Sequence, residues 1–109
     1  MKSISESVTR IAGHRGNRFY ATLICMVNVA TASMPAELSM QEICRRTSLL
    51  CGKSVTAVSQ DASRAVQDIW EYGSRQELIK LLGRDPKVKP SPKDLVIELA
   101  QIFWNQFQE

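Results

Sequence analysis

Residues 54–70, SVTAVSQDASRAVQDIW, carry two opposite faces at helical spacing. At 100° per residue one face is apolar, while the other is polar with a single charge, that of Arg64. The apolar face contains Val58, Ala62, Ala65, Val66 and Ile69, with Trp70 at its edge. The polar face contains Thr56, Ser59, Gln60, Ser63, Arg64 and Gln67, and it is flanked by Asp61 and Asp68. The spacing predicts an amphipathic helix over about residues 56–72 that packs by one face and offers hydrogen-bonding groups on the other.

The segment before this helix predicts another helix followed by a turn. A helix that begins at Ser39 displays Arg45 and Arg46, and the link to the next helix contains Gly52 and Lys53. A helix, a glycine-containing turn and a second helix with a polar face form the outline of a helix-turn-helix. In such a unit the second helix enters the major groove, where Arg, Gln, Ser and Thr pair with base edges.

Helix-start signatures recur along the rest of the chain. In the pattern [ST]-x-x-[DE] a hydroxyl caps the first backbone amides and an acid reaches back to it. The pattern occurs at Ser3/Glu6, Ser39/Glu42, Ser74/Glu77 and Ser91/Asp94, with Pro92 at a first helical position and Gly83 at a helix end. Periodicity adds a helix over about residues 17–31. These signals predict an all-α fold of six helices containing a helix-turn-helix, with residues 1–109 as a single domain.

The composition favours a soluble protein with a local basic surface. The 109 residues are 44% hydrophobic and 23% charged, and the net charge is +3. Residues 1–60 hold seven Lys or Arg against three acids. An apolar run over residues 19–32 is too short for a membrane span of about 20 residues, so we expect no membrane association.

Metal, cofactor and enzyme chemistry are not indicated. The cysteines, Cys25, Cys44 and Cys51, are odd in number and lack paired spacing, and His14 is the sole histidine. We expect no zinc site or disulfide, but buried thiols in a reducing cytosol, and therefore a cytoplasmic location. No nucleophile and base are paired in the sequence, so we expect no catalytic residue, cofactor or small-molecule substrate. The basic stretch RDPKVKPSPK, residues 84–93, is read as a solvated linker in preference to an arm that contacts phosphates.

Over about residues 10–103 the chain resembles the C-terminal DNA-binding effector domain of the sporulation response regulators, the stage zero sporulation protein A family. The resemblance rests on the order and spacing of five pieces: RGNRFYATLICMV, EICRR, VSQDASRAVQDIWEYG, LIKLLG and KPSPKDLVIELAQ. It implies a six-helix fold with a helix-turn-helix, a recognition helix at about residues 56–72, and no catalytic activity. It also implies binding to short repeated DNA sites by two domains side by side, that is, a homodimer on DNA.

The chain departs from the family pattern at several points. The family's recognition-helix arginines and glutamate align with Ala57, Ser59, Gln60 and Ser63, so its base-reading code does not transfer. The stretch TSLLCGKSVT is longer by about four residues, which predicts a different turn. No phosphoacceptor receiver sequence precedes the effector-like region; if the chain is a complete gene product, we expect no control by phosphorylation of a linked receiver.

The sequence therefore predicts a bacterial transcription regulator that binds double-stranded DNA with sequence preference. The expected base-contacting residues are Thr56, Ser59, Gln60, Ser63, Arg64 and Gln67, and the expected phosphate-contacting residues are Arg45, Arg46, Lys53 and Ser54. The alternative is a stand-alone interaction module that binds a related regulator or itself and has lost specific DNA reading. The low positive charge of the predicted recognition helix favours this alternative.

Overall fold

The computed structural model describes residues 3–108, which contain six α-helices and no β-strand. The helices are α1 (Ile4–Ile11), α2 (Arg18–Ser33), α3 (Met40–Cys51), α4 (Val55–Tyr72), α5 (Arg75–Leu82) and α6 (Pro92–Phe107). The predicted all-α class is confirmed. Wherever a helix boundary was predicted from the sequence, the structure places it within two residues of that position.

Serine side chains begin the four helices whose start signatures the sequence carries. In each, the serine hydroxyl accepts a hydrogen bond from the backbone amide of the acid three residues on, as at Ser39 and Glu42, 3.1 Å apart. Such a cap typically contributes about 1 kcal/mol to helix stability. Helix α4 has the same type of cap, because Ser54 Oγ accepts from the Ala57 amide. Its signature is hidden since position 57 is alanine instead of an acid.

The connection between α3 and α4 is a three-residue turn, residues 52–54. Gly52 ends α3 with a left-handed backbone, φ 66°, which glycine adopts without steric cost. Of the stretch TSLLCGKSVT, for which the sequence predicts a different turn, residues 47–51 belong to the last turns of α3 and residues 52–54 form the connection. A turn of three to four residues is the usual length in helix-turn-helix units.

Helix α2 lies at the centre of the fold and packs against α1, α3, α4 and α6. One apolar cluster takes in residues from all six helices. Its largest fully buried side chains are Phe103, Ile11, Leu23, Met26, Ile43, Leu78, Leu95 and Leu99. Burying each of these side chains stabilises the fold by about 1.5 to 3 kcal/mol before entropy is counted. The predicted apolar face of α4 is confirmed, since its five members are at most 5% exposed.

The last turn of α3 projects from the core. Leu49 and Leu50 are 73% and 70% exposed. The expectation of buried thiols holds for Cys44 but is wrong for Cys51, which is exposed as the last residue of this turn; Cys25 is half-buried. Within residues 3–108, no helix has both the length and the apolar character needed to cross a lipid bilayer.

Candidate nucleic-acid interface

The polar side chains of α4 form a stripe along its outer surface. Five of them are exposed and Gln67 is half-buried. The exposed members are Thr56, Ser59, Gln60, Ser63 and Arg64. Because α4 has 18 residues, the helix that carries this stripe is about 27 Å long. The stripe thus offers hydroxyl, amide and guanidinium groups to an external partner over several helical turns.

The two acids that flank the stripe in sequence turn away from it. Asp68 is buried, 8% exposed, and the Asp61 side chain is 15% exposed. Both carboxylates bond groups of the protein itself, Asp61 through Lys53 and Thr22 and Asp68 through Tyr20 and His14. Arg64 is exposed, and its charge also acts on the Asp61 carboxylate and helps to lower the pKa of that group.

Lys53 lies under the start of α4. Its ammonium is 2.6 Å from Asp61 Oδ2 and 3.0 Å from Thr22 Oγ1, and Thr22 donates to the same carboxylate at 2.8 Å. Burial alone raises the pKa of the Asp61 carboxyl, but the bonds from Lys53 and Thr22 outweigh burial and leave this pKa below its ordinary value. The expected phosphate contact of Lys53 therefore competes with an internal ion pair that ties α4 to α2.

Replacing Lys53 with alanine is expected to lower the free energy of unfolding by about 1 to 2 kcal/mol, because Asp61 is left partly buried without its cation. Urea denaturation measures this loss. Adding Asp61→Asn to Lys53→Ala should recover part of it, whereas the exposed-lysine control Lys93→Ala should change stability by less than about 0.5 kcal/mol. A stability equal to wild type in Lys53→Ala would show that the pair contributes nothing.

Arg45 and Arg46 share one acid on their own helix. Arg45 Nη2 and Arg46 Nε lie 2.5 and 2.9 Å from Glu42 Oε1, and these hydrogen bonds lower the pKa of the Glu42 carboxyl to about 2. Arg46 also donates to Ser33 at the end of α2, at 3.3 Å. Both arginines are exposed, and such surface pairs are worth about 0 to 1 kcal/mol, so a phosphate could replace Glu42 at small cost.

Ser54, the fourth expected phosphate contact, is exposed and already uses its hydroxyl to cap α4. The amides of Val55 and Thr56 have no acceptor within the helix, as at any helix start. The amino end of α4 therefore presents two backbone donors beside the stripe, and such donors suit an anion.

A buried cluster around Asp68, which the sequence did not reveal, fixes the other end of α4. Tyr20 donates its hydroxyl to Asp68 Oδ2, the His14 amide donates to the same oxygen at 2.7 Å, and His14 Nδ1 is 2.5 Å from Oδ1. The Gly13 amide in turn donates to the Tyr20 hydroxyl at 3.2 Å. Burial raises the pKa of the Asp68 carboxyl, but the bonds from Tyr20 and His14 outweigh burial and hold this pKa below its ordinary value.

This Asp68 cluster joins residues far apart in sequence. Asp68 is 54 residues from His14 and 48 from Tyr20, so no local pattern connects them. Nδ1 of the His14 ring faces the carboxylate, and the rings of His14 and Tyr72 pack edge-to-face with centroids 5.0 Å apart. The cluster therefore clamps the loop between α1 and α2 onto α4.

No family model matches the chain, and no curated protein matches it. The class of protein is therefore described from the fold and the candidate interface alone. The chain is an all-α protein whose 18-residue helix α4 is anchored near both ends and shows a polar outer face with one basic charge.

Proposed function

We propose that the chain is a sequence-preferring DNA-binding protein of the helix-turn-helix type, in which α3 and α4 form the unit and α4 enters the major groove. The observation that carries this proposal is the exposed stripe on α4, along which Asp61 and Asp68 bond groups of the protein itself and the one exposed acid of α4, Glu71, lies beyond the last polar member, Gln67. Phosphates repel exposed carboxylates, so withdrawing Asp61 and Asp68 removes negative charge from the face that meets DNA. The short turn at residues 52–54 and the resemblance to the sporulation effector domain support the same proposal and suggest a role in transcription regulation.

The roles follow from donor and acceptor chemistry. Arg64 suits the O6 and N7 acceptors of guanine, and Gln60 suits the N6 and N7 groups of adenine. Thr56, Ser59 and Ser63 add hydroxyls that bond to either type of base edge. These side chains select the sequence.

Phosphate contacts fix the orientation of the domain and carry no sequence information themselves. We assign them to Arg45 and Arg46, released from Glu42, and to the amides at the start of α4 with Ser54. Lys53 acts by holding α4 on α2 through Asp61.

Arg64→Ala is expected to cost about 1 to 3 kcal/mol in binding to the preferred duplex, a loss of roughly 5- to 150-fold, and to relax the preference at one base position. Fluorescence anisotropy with preferred and scrambled duplexes measures both effects. Arg10→Ala on α1 removes the same charge from another helix and should leave the preference unchanged. Equal losses on both duplexes for Arg64→Ala would contradict its base-contacting role.

A second candidate function is a protein-interaction module that binds a related regulator or itself. It is favoured by the exposed leucines of α3, Leu49 and Leu50, which lie close in sequence to Val55, 44% exposed, at the start of α4. Exposed apolar groups of this kind often mark protein contacts. Sedimentation equilibrium separates the two candidates: self-association abolished by Leu49→Ser/Leu50→Ser, without DNA binding, would favour the interaction module.

A further inference from the structure

The arm formed by residues 83–91, which joins α5 to α6, lies against the carboxyl-terminal part of the α4 stripe. Lys89 Nζ is 2.5 Å from Gln67 Oε1, and Gln67 is the last polar member of that stripe. Gln67 also donates its amide to Glu71. Gln67, an expected base contact, therefore links α4 to the arm through its bond with Lys89. The arm lies beside the end of the exposed stripe.

Three contacts hold the arm in place. At its start, Arg84 forms two hydrogen bonds with Glu98 of α6, at 3.0 and 2.6 Å. In its middle, Pro86 is buried and its carbonyl accepts from Arg75 at 3.1 Å. The Arg75 guanidinium in turn lies 3.9 Å above the Trp70 ring of α4. With Lys89 on Gln67, the arm is fixed before any partner arrives, so little entropy is lost on binding.

The charges of the arm are available to an anion. Lys89 is exposed and its partner is a neutral amide oxygen, so its charge is not cancelled. The Lys87 side chain is 84% exposed, and its partner Asp85, 3.2 Å away, is also shared with Arg75. An exposed pair of this kind is worth about 0 to 1 kcal/mol and yields readily to a phosphate.

The surroundings favour an extended polyanion over a small one. Behind the arm lies an open groove of about 660 Å³ bordered by basic residues but also by Glu37, Asp94 and Glu98. These carboxylates repel a free phosphate in the groove. A DNA backbone running alongside α4 would meet Lys89 beside Gln67 without entering the groove.

We propose that residues 83–91 are a second DNA contact, in which Lys87 and Lys89 neutralise phosphates that flank the bases facing α4. This inference rests on the proposed function. Under this proposal the segment is not the solvated linker expected from the sequence but an arm whose position is set by contacts with Arg75, Glu98 and Gln67. The arm adds affinity and sets the length of the bound site, but it does not select bases.

The test compares wild type with Lys87→Gln/Lys89→Gln, using a preferred and a scrambled duplex at several salt concentrations. Each neutralised phosphate contributes about 0.9 to the slope of log affinity against log salt, so the double variant should lower the slope by about 2. Affinity for both duplexes should fall by the same factor, and the enriched motif should stay the same. Lys87→Gln alone, which breaks no contact with α4, should lower the slope by about 1.

The matched control is Arg10→Gln/Lys80→Gln, which removes the same charge from α1 and α5. Its slope should equal that of wild type. Salt-dependent DNA binding by wild type with an unchanged slope in the arm variant would overturn the arm while leaving the proposed function intact. A changed motif in the arm variant would overturn the phosphate role. Absence of DNA binding by wild type would overturn the proposed function and the arm together.

Discussion

Replacing Asp68 with alanine is expected to lower the free energy of unfolding by about 2 to 5 kcal/mol, because each buried donor left without an acceptor costs about 1 to 3 kcal/mol. The carboxylate is buried and accepts from Tyr20 and from the His14 amide. Without it, both donors lose their acceptor, and the loop between α1 and α2 loses its bond to α4. Urea denaturation followed by circular dichroism measures the effect.

Controls separate this cluster from a general effect of losing an acid. Glu71→Ala removes an exposed carboxylate from the same helix and should cost less than about 0.5 kcal/mol. Asp68→Asn keeps an acceptor for Tyr20 but loses the charge, and should fall between alanine and wild type. A loss below 1 kcal/mol in Asp68→Ala would show that the cluster is not structural.

The same carboxylate makes stability depend on pH. Because the folded pKa of Asp68 lies below its unfolded value, its contribution is full above the unfolded pKa of about 3.9 and is lost as pH falls through the folded pKa. The difference in unfolding free energy between wild type and Asp68→Asn should therefore be constant near neutral pH and shrink below about pH 4. A constant difference down to about pH 2 would contradict this assignment.

Gly73→Ala is expected to lower the free energy of unfolding by about 3 kcal/mol, at the upper end of the cost of overpacking. A methyl group on Gly73 would lie 2.1 Å from the Ile11 carbonyl oxygen and 2.5 Å from that of Ile69. Both are backbone atoms, so α1 and α4 must separate to admit it. Thermal unfolding should show a decrease in Tm of roughly 12 to 24 °C at about 4 to 8 °C per kcal/mol.

The backbone angle of Gly73 shows that the expected loss of stability comes from steric contact and not from backbone strain. Its φ of −77° suits any residue, so the cost comes from contact alone. Gly16→Ala is the counterpart, because Gly16 has φ 84° and open space around it, and should cost about 1 to 2 kcal/mol from backbone strain. A Tm for Gly73→Ala equal to wild type would mean that α1 and α4 are not held this close.

Local signals were sufficient for most of the fold. A serine cap depends on residues three positions apart, so all four start signatures appear as caps in the structure. The inner face of α4 was predicted equally well, because helical spacing alone places Val58, Ala62 and Ile69 on one side. The missed cap at Ser54 uses the same geometry without the acid that marks it.

Long-range contacts account for what the sequence did not predict. Whether Asp61 and Asp68 border the stripe or turn inward depends on Thr22 and Tyr20 of α2, which no helical period relates to α4. The contacts of residues 83–91 with α4, α5 and α6 could not be predicted for the same reason. The composition of this segment matches a solvated linker, while its position is fixed by Gln67 and Arg75 across the fold.

Contact between α4 and DNA bases is tested by fluorescence-anisotropy binding of the full chain to a randomised duplex pool at two salt concentrations, followed by selection and sequencing of the bound fraction. We expect an affinity that falls steeply with salt, together with an enriched motif that changes in Arg64→Ala. No binding at low salt, or salt-dependent binding with no enriched motif, would contradict this contact.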